Sequence, residues 1–170
     1  PATVSGLDSS DELLARVRRR AAAEGLDGRV VTVVGDLEHD LPPLDPADLV
    51  WVSMVVHHVE DTAATLRRLG DALRPGGRLA LTAWADPSQH RLAGVFLDAV
   101  AEARATPPVD LPPGPDFFRF SDDEAFAAAL RQQGLARPAV SPITFVLRFA
   151  SADELWNVML GATVRVSALI

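Results

Sequence analysis

The sequence predicts an α/β domain in which a mostly parallel sheet lies between two layers of helices. Apolar runs without polar alternation, as at residues 29–34 and 48–56, are typical of parallel strands that are buried on both faces. Segments with helical spacing of apolar residues alternate with these runs, as in βαβ units. Turn signals rich in Pro and Gly separate the segments.

The first half of the chain alternates regularly between predicted strands and helices. Residues 2–7 form an apolar run that ends at Asp8. Ser9 and Glu12 have capping-box spacing and predict a helix that ends at Gly25. Further strands are predicted at 29–34, from 48 onward and at 78–84. A helix with Leu66, Leu69 and Leu73 on one stripe, followed by the turn sequence RPGG at 74–77, precedes the last of these strands.

The second half is less regular. Residues 89–105 have helical spacing, and the Pro- and Phe-rich stretch 106–120 predicts a surface loop or a lid over a pocket. Two more capping boxes, Ser121–Glu124 and Ser151–Glu154, predict helices, the first of which ends at Gly134. Strict alternation over residues 143–149 predicts a less buried strand.

Composition excludes several classes of protein. A chain of 170 residues with 48% hydrophobic residues can bury the core of one globular domain. The formal net charge of −7 disfavours a nucleic-acid partner. No apolar run approaches the roughly 18 residues of a membrane span, so a membrane partner is not expected. With no Cys and no signal-peptide pattern at the start, the cytoplasm is the expected location.

Two carboxylates follow predicted strands and are candidate ligand-binding groups. Ligands of open α/β sheets bind at the carboxyl ends of the strands, where Asp8 could accept both hydroxyl protons of a ribose. Asp36 could accept from the exocyclic amine of adenine while Leu37 packs on the ring. The alternatives are that Asp8 only complements the dipole of the next helix and that Gly35-Asp36 is an ordinary turn.

His57 and His58 follow the third predicted strand. Adjacent residues on an extended chain point in opposite directions, and no further ligand pattern accompanies them, so a metal site is not predicted. His57 could act as a general base, because its pKa suits neutral pH. The reading that the two histidines shape the floor of a pocket or cap the next helix is favoured.

Four segments in this order resemble the class I S-adenosylmethionine-dependent methyltransferases, and in particular the ubiquinone/menaquinone-type small-molecule group. The segments are GLDSSDELL, VVGDLEHDLPPL, DLVWVSMVVHHVED and LRRLGDALRPGGRLALT. The resemblance covers residues 2–85 well and residues 120–150 loosely. It implies a three-layer Rossmann-like sheet and methyl transfer from S-adenosylmethionine to a small molecule.

The resemblance also implies roles for individual residues. Asp8, with Ser9 beside it, would hold the ribose of S-adenosylmethionine, and Asp36 and Leu37 would bind its adenine. Ser53 and Met54 would line the methionine portion, and His57 would lie near the methyl group or the acceptor. The variable segment 86–119 would supply substrate contacts and serve as a lid.

One family feature is missing from the chain. No G-x-G occurs in residues 1–170, although the family's first strand leads into a glycine-rich loop that lets the backbone approach the cofactor. The sheet is therefore predicted to lack its central first strand and its last strand, which leaves the strands at Ala2 and Asp48 without a shared neighbour.

Three interpretations of the whole chain follow. Residues 1–170 are expected to be one partial methyltransferase domain. The alternatives are a non-catalytic binding or scaffold protein that has lost the cofactor loop, and an NAD-binding oxidoreductase fragment. Phe117 and Phe118 are expected to be exposed apolar residues that could form a homodimer interface.

Overall fold

A computed structural model describes residues 2–106 and 116–162 of the chain. They fall into two compact units, Pro1–Leu81 and Thr82–Ile170. The elements in chain order are β1 (Val4–Asp8), α1 (Asp11–Ala23), β2 (Val30–Val34), β3 (Ala47–Ser53), α2 (Thr62–Asp71), β4 (Leu73–Thr82), α3 (Arg91–Glu102), α4 (Asp123–Gln132) and α5 (Ala152–Ala162).

Strands β1 and β2 form a parallel pair with α1 as the crossover helix. Val4 lies beside Val30 and Asp8 beside Val34, without a bulge. Both strands therefore run in the same direction and end at the same edge, as the alternation of strands and helices predicts.

Strands β3 and β4 form a second small sheet instead of joining the first. Their starts adjoin, because the Ala47 N–H donates to the Ala72 carbonyl at 2.8 Å and Arg74 binds both carboxylate oxygens of Asp48 at 3.0 Å. The mixed α/β fold class is confirmed, but the strands of the described residues lie in two pairs. Among the described strands, β1 and β3 share no neighbour.

The core of the first unit lies where α2 and the segment before it turn their apolar side chains inward. Val56, Thr65 and Leu66 are at most 1% exposed. Leu14 and Ala21 of α1 are also buried. By contrast, Val31 on β2 and Trp51 on β3 are 59% and 71% exposed, so these strands are not covered on both faces as their apolar runs predicted.

Two helix starts differ from the sequence prediction by one residue. The N-cap of α1 is Ser10, whose Oγ accepts from the Leu13 N–H at 3.3 Å, and not Ser9. The N-cap of α4 is Asp122, whose carboxylate accepts from the Ala125 N–H at 2.7 Å, and not Ser121. In both helices the capping oxygen belongs to the residue three positions before the N–H that it accepts from. The third predicted cap, Ser151, is confirmed.

The RPGG sequence lies inside a strand, and the prediction of a turn there is wrong. Strand β4 begins at Leu73 and continues through it, with Gly76 at φ +82°. A Cβ on Gly77 would lie 3.0 Å from the Ala47 carbonyl oxygen. Gly77 therefore allows a close approach of two strands, whereas Gly76 provides the positive φ.

The second unit contains α3, α4 and α5. Phe126, Ala127 and Leu130 form the buried face of α4, and the Phe126 ring packs on Phe120 at 4.9 Å between centroids. Residues 143–149 form no strand, so that prediction is wrong. Four of their apolar side chains are between 53% and 77% exposed: Ile143, Phe145, Val146 and Leu147.

The stretch 106–120 is described only at its two ends, and the rest of the predicted lid lies outside the described residues. Phe117 and Phe118 are half-buried, so the expectation that they are exposed apolar residues is wrong. Phe118 lies near the His90 ring. None of the helices in the described part of the chain is long and apolar enough to cross a membrane.

Candidate nucleotide-binding site

The parallel pairing brings two of the predicted carboxylates to one edge of the β1–β2 sheet. Asp8 is the last residue of β1, and Asp36 follows β2 by two residues. The Gly35 N–H donates to the Asp8 carbonyl oxygen at 3.1 Å, which joins the two strand ends directly. Ligands of open α/β folds bind at this edge.

Asp8 is half-buried and already has one local partner. Its Oδ1 accepts from the Ser10 N–H at 2.8 Å, just before α1 begins. Within the part of the chain that the structure describes, Oδ2 makes no hydrogen bond. The carboxylate therefore complements the start of α1 and still has an oxygen that can accept from a ligand hydroxyl. Ser9 beside it is exposed.

Asp36 is held in a short closed loop. Its N–H donates to the Asp40 carbonyl at 3.0 Å, and the Asp40 N–H donates back at 3.2 Å. Asp36 Oδ1 accepts from the Glu38 N–H at 2.7 Å, and Oδ2 lies 3.3 Å from His39 Nδ1. The Glu38 N–H, and then the hydrogen bond with His39, lower the pKa of Asp36 below its usual range, so the group is an acceptor at neutral pH. Leu37 is half-buried beside it.

Gly35 is required by the closeness of this loop. A Cβ at this position would lie 2.5 Å from Pro42 Cδ, 3.0 Å from the Asp40 carbonyl oxygen and 3.2 Å from Leu7 Cδ1. No side chain fits there, because two of these atoms belong to a proline ring and to the backbone. The Gly-Asp pair is therefore more than an ordinary turn.

Ser53 and Met54 lie at the corresponding end of β3. Ser53 is the last residue of the strand, and Met54 leaves it with φ +58°. This left-handed conformation is uncommon for a residue with an unbranched apolar side chain and often occurs at functional sites. The chain therefore turns sharply where the resemblance implies the methionine portion of the cofactor.

His57 follows this turn by three residues and lies in the core. It is 1% exposed, and its ring contacts that of His58 at 4.2 Å between centroids. The N-cap of α2 is Asp61, which accepts from the Ala64 N–H at 2.8 Å, so neither histidine caps the helix. At this burial His57 is a core residue, and its role in a pocket stays a prediction. Among residues 2–106 and 116–162, no three side chains of His, Asp or Glu are grouped so that they could hold a metal ion.

Two residues that the sequence analysis did not identify connect the site. Glu38 Oε1 accepts from the N–H groups of Glu60 and Asp61 at 2.8 and 2.9 Å. Arg68 of α2 donates to the Leu37 carbonyl at 3.1 Å. These contacts tie the loop after β2 to the loop after β3. No motif indicates them, because the partners are more than 20 residues apart.

Carboxylates at the ends of adjacent parallel strands, with a tight glycine between them, are typical of α/β domains of the Rossmann-like class. The comparisons narrow this class. Residues 1–81 match the family model described as a methyltransferase domain. This match confirms the resemblance of these residues to the class I S-adenosylmethionine-dependent methyltransferases. The narrower ubiquinone/menaquinone group is not established.

Relatives and a solved structure agree with this family. The chain is 38% identical over 81 residues to the methyltransferase GfsG of Streptomyces halstedii, covering 47% of this chain and 29% of the relative. It is 32% identical over 158 residues to an uncharacterized 37.1 kDa protein in transposon TN4556 of Streptomyces fradiae, covering 89% and 41% of the two chains. The apo crystal structure of the S-adenosylmethionine-dependent methyltransferase SibL superposes with a TM-score of 0.60 at 25% identity, covering 84% of this chain and 40% of that one.

The chain spans between 29% and 41% of the length of these two curated relatives. The alternatives of a scaffold protein and an NAD-binding oxidoreductase are not favoured by these matches. The match to the S. fradiae protein extends beyond the family segment into the second unit.

Proposed function

We propose that this protein transfers a methyl group from S-adenosylmethionine to a small-molecule acceptor. The observation that carries the proposal is the pairing of Asp8 and Asp36 at one edge of the parallel β1–β2 sheet. The similarity to GfsG and SibL, which are both named as methyltransferases, supports it.

The residues present fit an adenosine group. Asp8 accepts hydrogen bonds from the ribose hydroxyl groups, and the exposed Ser9 lies beside it. Asp36, which is ionised at neutral pH, accepts from the exocyclic amine of adenine, and Leu37 packs on the ring. Ser53 and Met54 line the methionine portion at the turn after β3. The bound cofactor supplies the methyl group on a sulfonium.

The protein's own contribution is mainly positioning and exclusion of water. His57, which is 1% exposed, shapes the floor of the pocket. Acceptor contacts from segment 86–119 stay a prediction from the sequence. A general-base role of His57 toward the acceptor also stays a prediction.

The setting of the reaction follows from composition. A net charge of −7 disfavours nucleic acid as the acceptor. The cytoplasm is the proposed location, and a homodimer is the proposed assembly. Since Phe117 and Phe118 are half-buried, the dimer surface is assigned to other apolar residues.

Calorimetric titration with S-adenosylhomocysteine tests the proposal, using the complete product of the gene beside residues 1–170. We expect the complete product to bind, and Asp8→Asn to weaken binding by about 1–3 kcal/mol through the loss of charged hydrogen bonds. Asp27→Asn is the matched control, because Asp27 is exposed and precedes β2 at the opposite edge of the sheet. Absence of binding, or equal affinity of the Asp8 variant and the wild type, would overturn the proposal.

A further inference from the structure

Glu38 is the point at which the two loops of the candidate site meet. One carboxylate oxygen accepts from two successive backbone N–H groups, those of Glu60 and Asp61, at 2.8 and 2.9 Å. Its own N–H donates to Asp36 Oδ1 at 2.7 Å. A single residue thus contacts the adenine-side carboxylate through its backbone and the β3–α2 loop through its side chain.

The groups around Glu38 explain why backbone N–H groups hold its carboxylate. Asp36, Glu60 and Asp61 are all acidic. Two basic side chains of this region contact other groups: the His39 ring lies against Asp36, and Arg68 donates to the Leu37 carbonyl. The Glu38 carboxylate is therefore held by backbone N–H groups at the start of α2, where the helix dipole favours a negative charge. Hydrogen bonds to a charged acceptor are the stronger kind.

The loop needs such an anchor. Residues 36–40 close on themselves through the Asp36–Asp40 bridge, and β2 pairs only with β1 among the described strands. Apart from Glu38, the contact between this loop and α2 is the exposed hydrogen bond from Arg68 to the Leu37 carbonyl. Binding groups must be held to within about 0.5 Å of their productive position by supporting contacts.

We propose that Glu38 is a positioning residue that sets the protein's preference for adenine by fixing Asp36 and Leu37 relative to the Ser53–Met54 turn. The inference rests on the proposed function. Glu38 itself does not contact the cofactor, and its effect is transmitted through the Asp36 carboxylate.

The test compares Glu38→Ala with Glu38→Gln, whose amide oxygen can still accept from both N–H groups. Glu12→Ala is the control, since Glu12 is an exposed carboxylate of the same unit that pairs only with Arg16 in the described contacts. Two quantities are measured on the complete gene product. They are the hydrogen-exchange rates of the Glu60 and Asp61 amides, and the ratio of affinities for S-adenosylhomocysteine and its inosine counterpart, in which a keto oxygen replaces the exocyclic amine.

In Glu38→Ala we expect both amides to exchange about tenfold faster and the preference for the adenine ligand to fall about tenfold. Glu38→Gln should retain most of the amide protection and most of the preference for the adenine ligand. A merely structural role would lower the affinity for both ligands equally. An unchanged ratio in Glu38→Ala, with binding intact in the wild type, overturns the inference alone. Absence of binding in the wild type overturns the proposed function and this inference with it.

Discussion

At the scale of single residues, the site is built from side chains that each serve the fold and the ligand together. Asp8 accepts from the Ser10 N–H and retains a second oxygen. Asp36 closes its own loop and remains an ionised acceptor. Both carboxylates are therefore placed by backbone donors, which fix their position before any ligand arrives.

Gly35→Ala should destabilise the protein by about 1–3 kcal/mol, the usual cost of forcing atoms into a filled site. The added Cβ would lie 2.5 Å from Pro42 Cδ and 3.0 Å from the Asp40 carbonyl oxygen. Urea unfolding measures the difference. Gly28→Ala is the control: nothing lies within 4 Å of its Cβ position, and a stability loss as large as that of Gly35→Ala would contradict this account.

His90 should titrate below its usual pKa, because burial disfavours the imidazolium. Its ring lies 4.3 Å from Trp84 and 6.5 Å from Phe118 between centroids. NMR titration should show the pKa rising toward 6.5 in Trp84→Ala, which admits water. Because the folded-state pKa is lowered, His90 contributes stability above its unfolded pKa that is lost as the pH falls through the folded-state value. A Trp84→Ala variant with an unmoved His90 pKa would contradict this cause.

At the scale of elements, helix starts determine where the loops of the site begin. The caps Ser10, Asp61 and Asp122 each satisfy an N–H of the first turn. Two of them lie directly beside the candidate site, after β1 and after β3. Helix placement and site geometry are therefore coupled at these positions.

Ser10→Ala should cost about 1 kcal/mol of stability, the usual value for a lost N-cap. Ser9→Ala should cost much less, since Ser9 is exposed and does not cap α1. Thermal or urea unfolding of the two variants gives the comparison between identical chemical changes at neighbouring positions. Equal losses would mean that the cap is not Ser10.

At the scale of the whole molecule, burial is uneven. The first unit buries Leu66, Val56 and their neighbours, whereas Leu49 and Trp51 on β3 are 54% and 71% exposed. Apolar strand residues at this level of exposure contribute little to the stability of the chain as described.

Leu66→Ala should cost about 2–5 kcal/mol, because it opens a cavity at a side chain that is 1% exposed. Leu49→Ala should change the stability by less than about 0.5 kcal/mol, as is usual at exposed positions. Urea unfolding of residues 1–170 measures both changes in the free energy of unfolding. A large loss at Leu49 would show that the β3 face is covered in solution.

The sequence by itself determined the order of strands and helices as far as β4, the acids at the ends of the first two strands and the family resemblance. Apolar runs, helical periodicity and the Gly-Asp pair are local signals. Each of them can be recognised within a short stretch of chain. Four segments in a fixed order carried the family resemblance, and the comparisons with known proteins confirmed it.

Only the tertiary structure decided which strands pair, how deeply His57 is buried, and that Glu38 and Arg68 join two loops. Residues 143–149 alternate as a strand should, yet no partner strand meets them in the described chain, and a strand exists only through its neighbour's hydrogen bonds. Likewise Glu38 finds its donors at Glu60 and Asp61, 22 and 23 residues away. Contacts between distant residues depend on how the chain is folded back, and no local pattern encodes them.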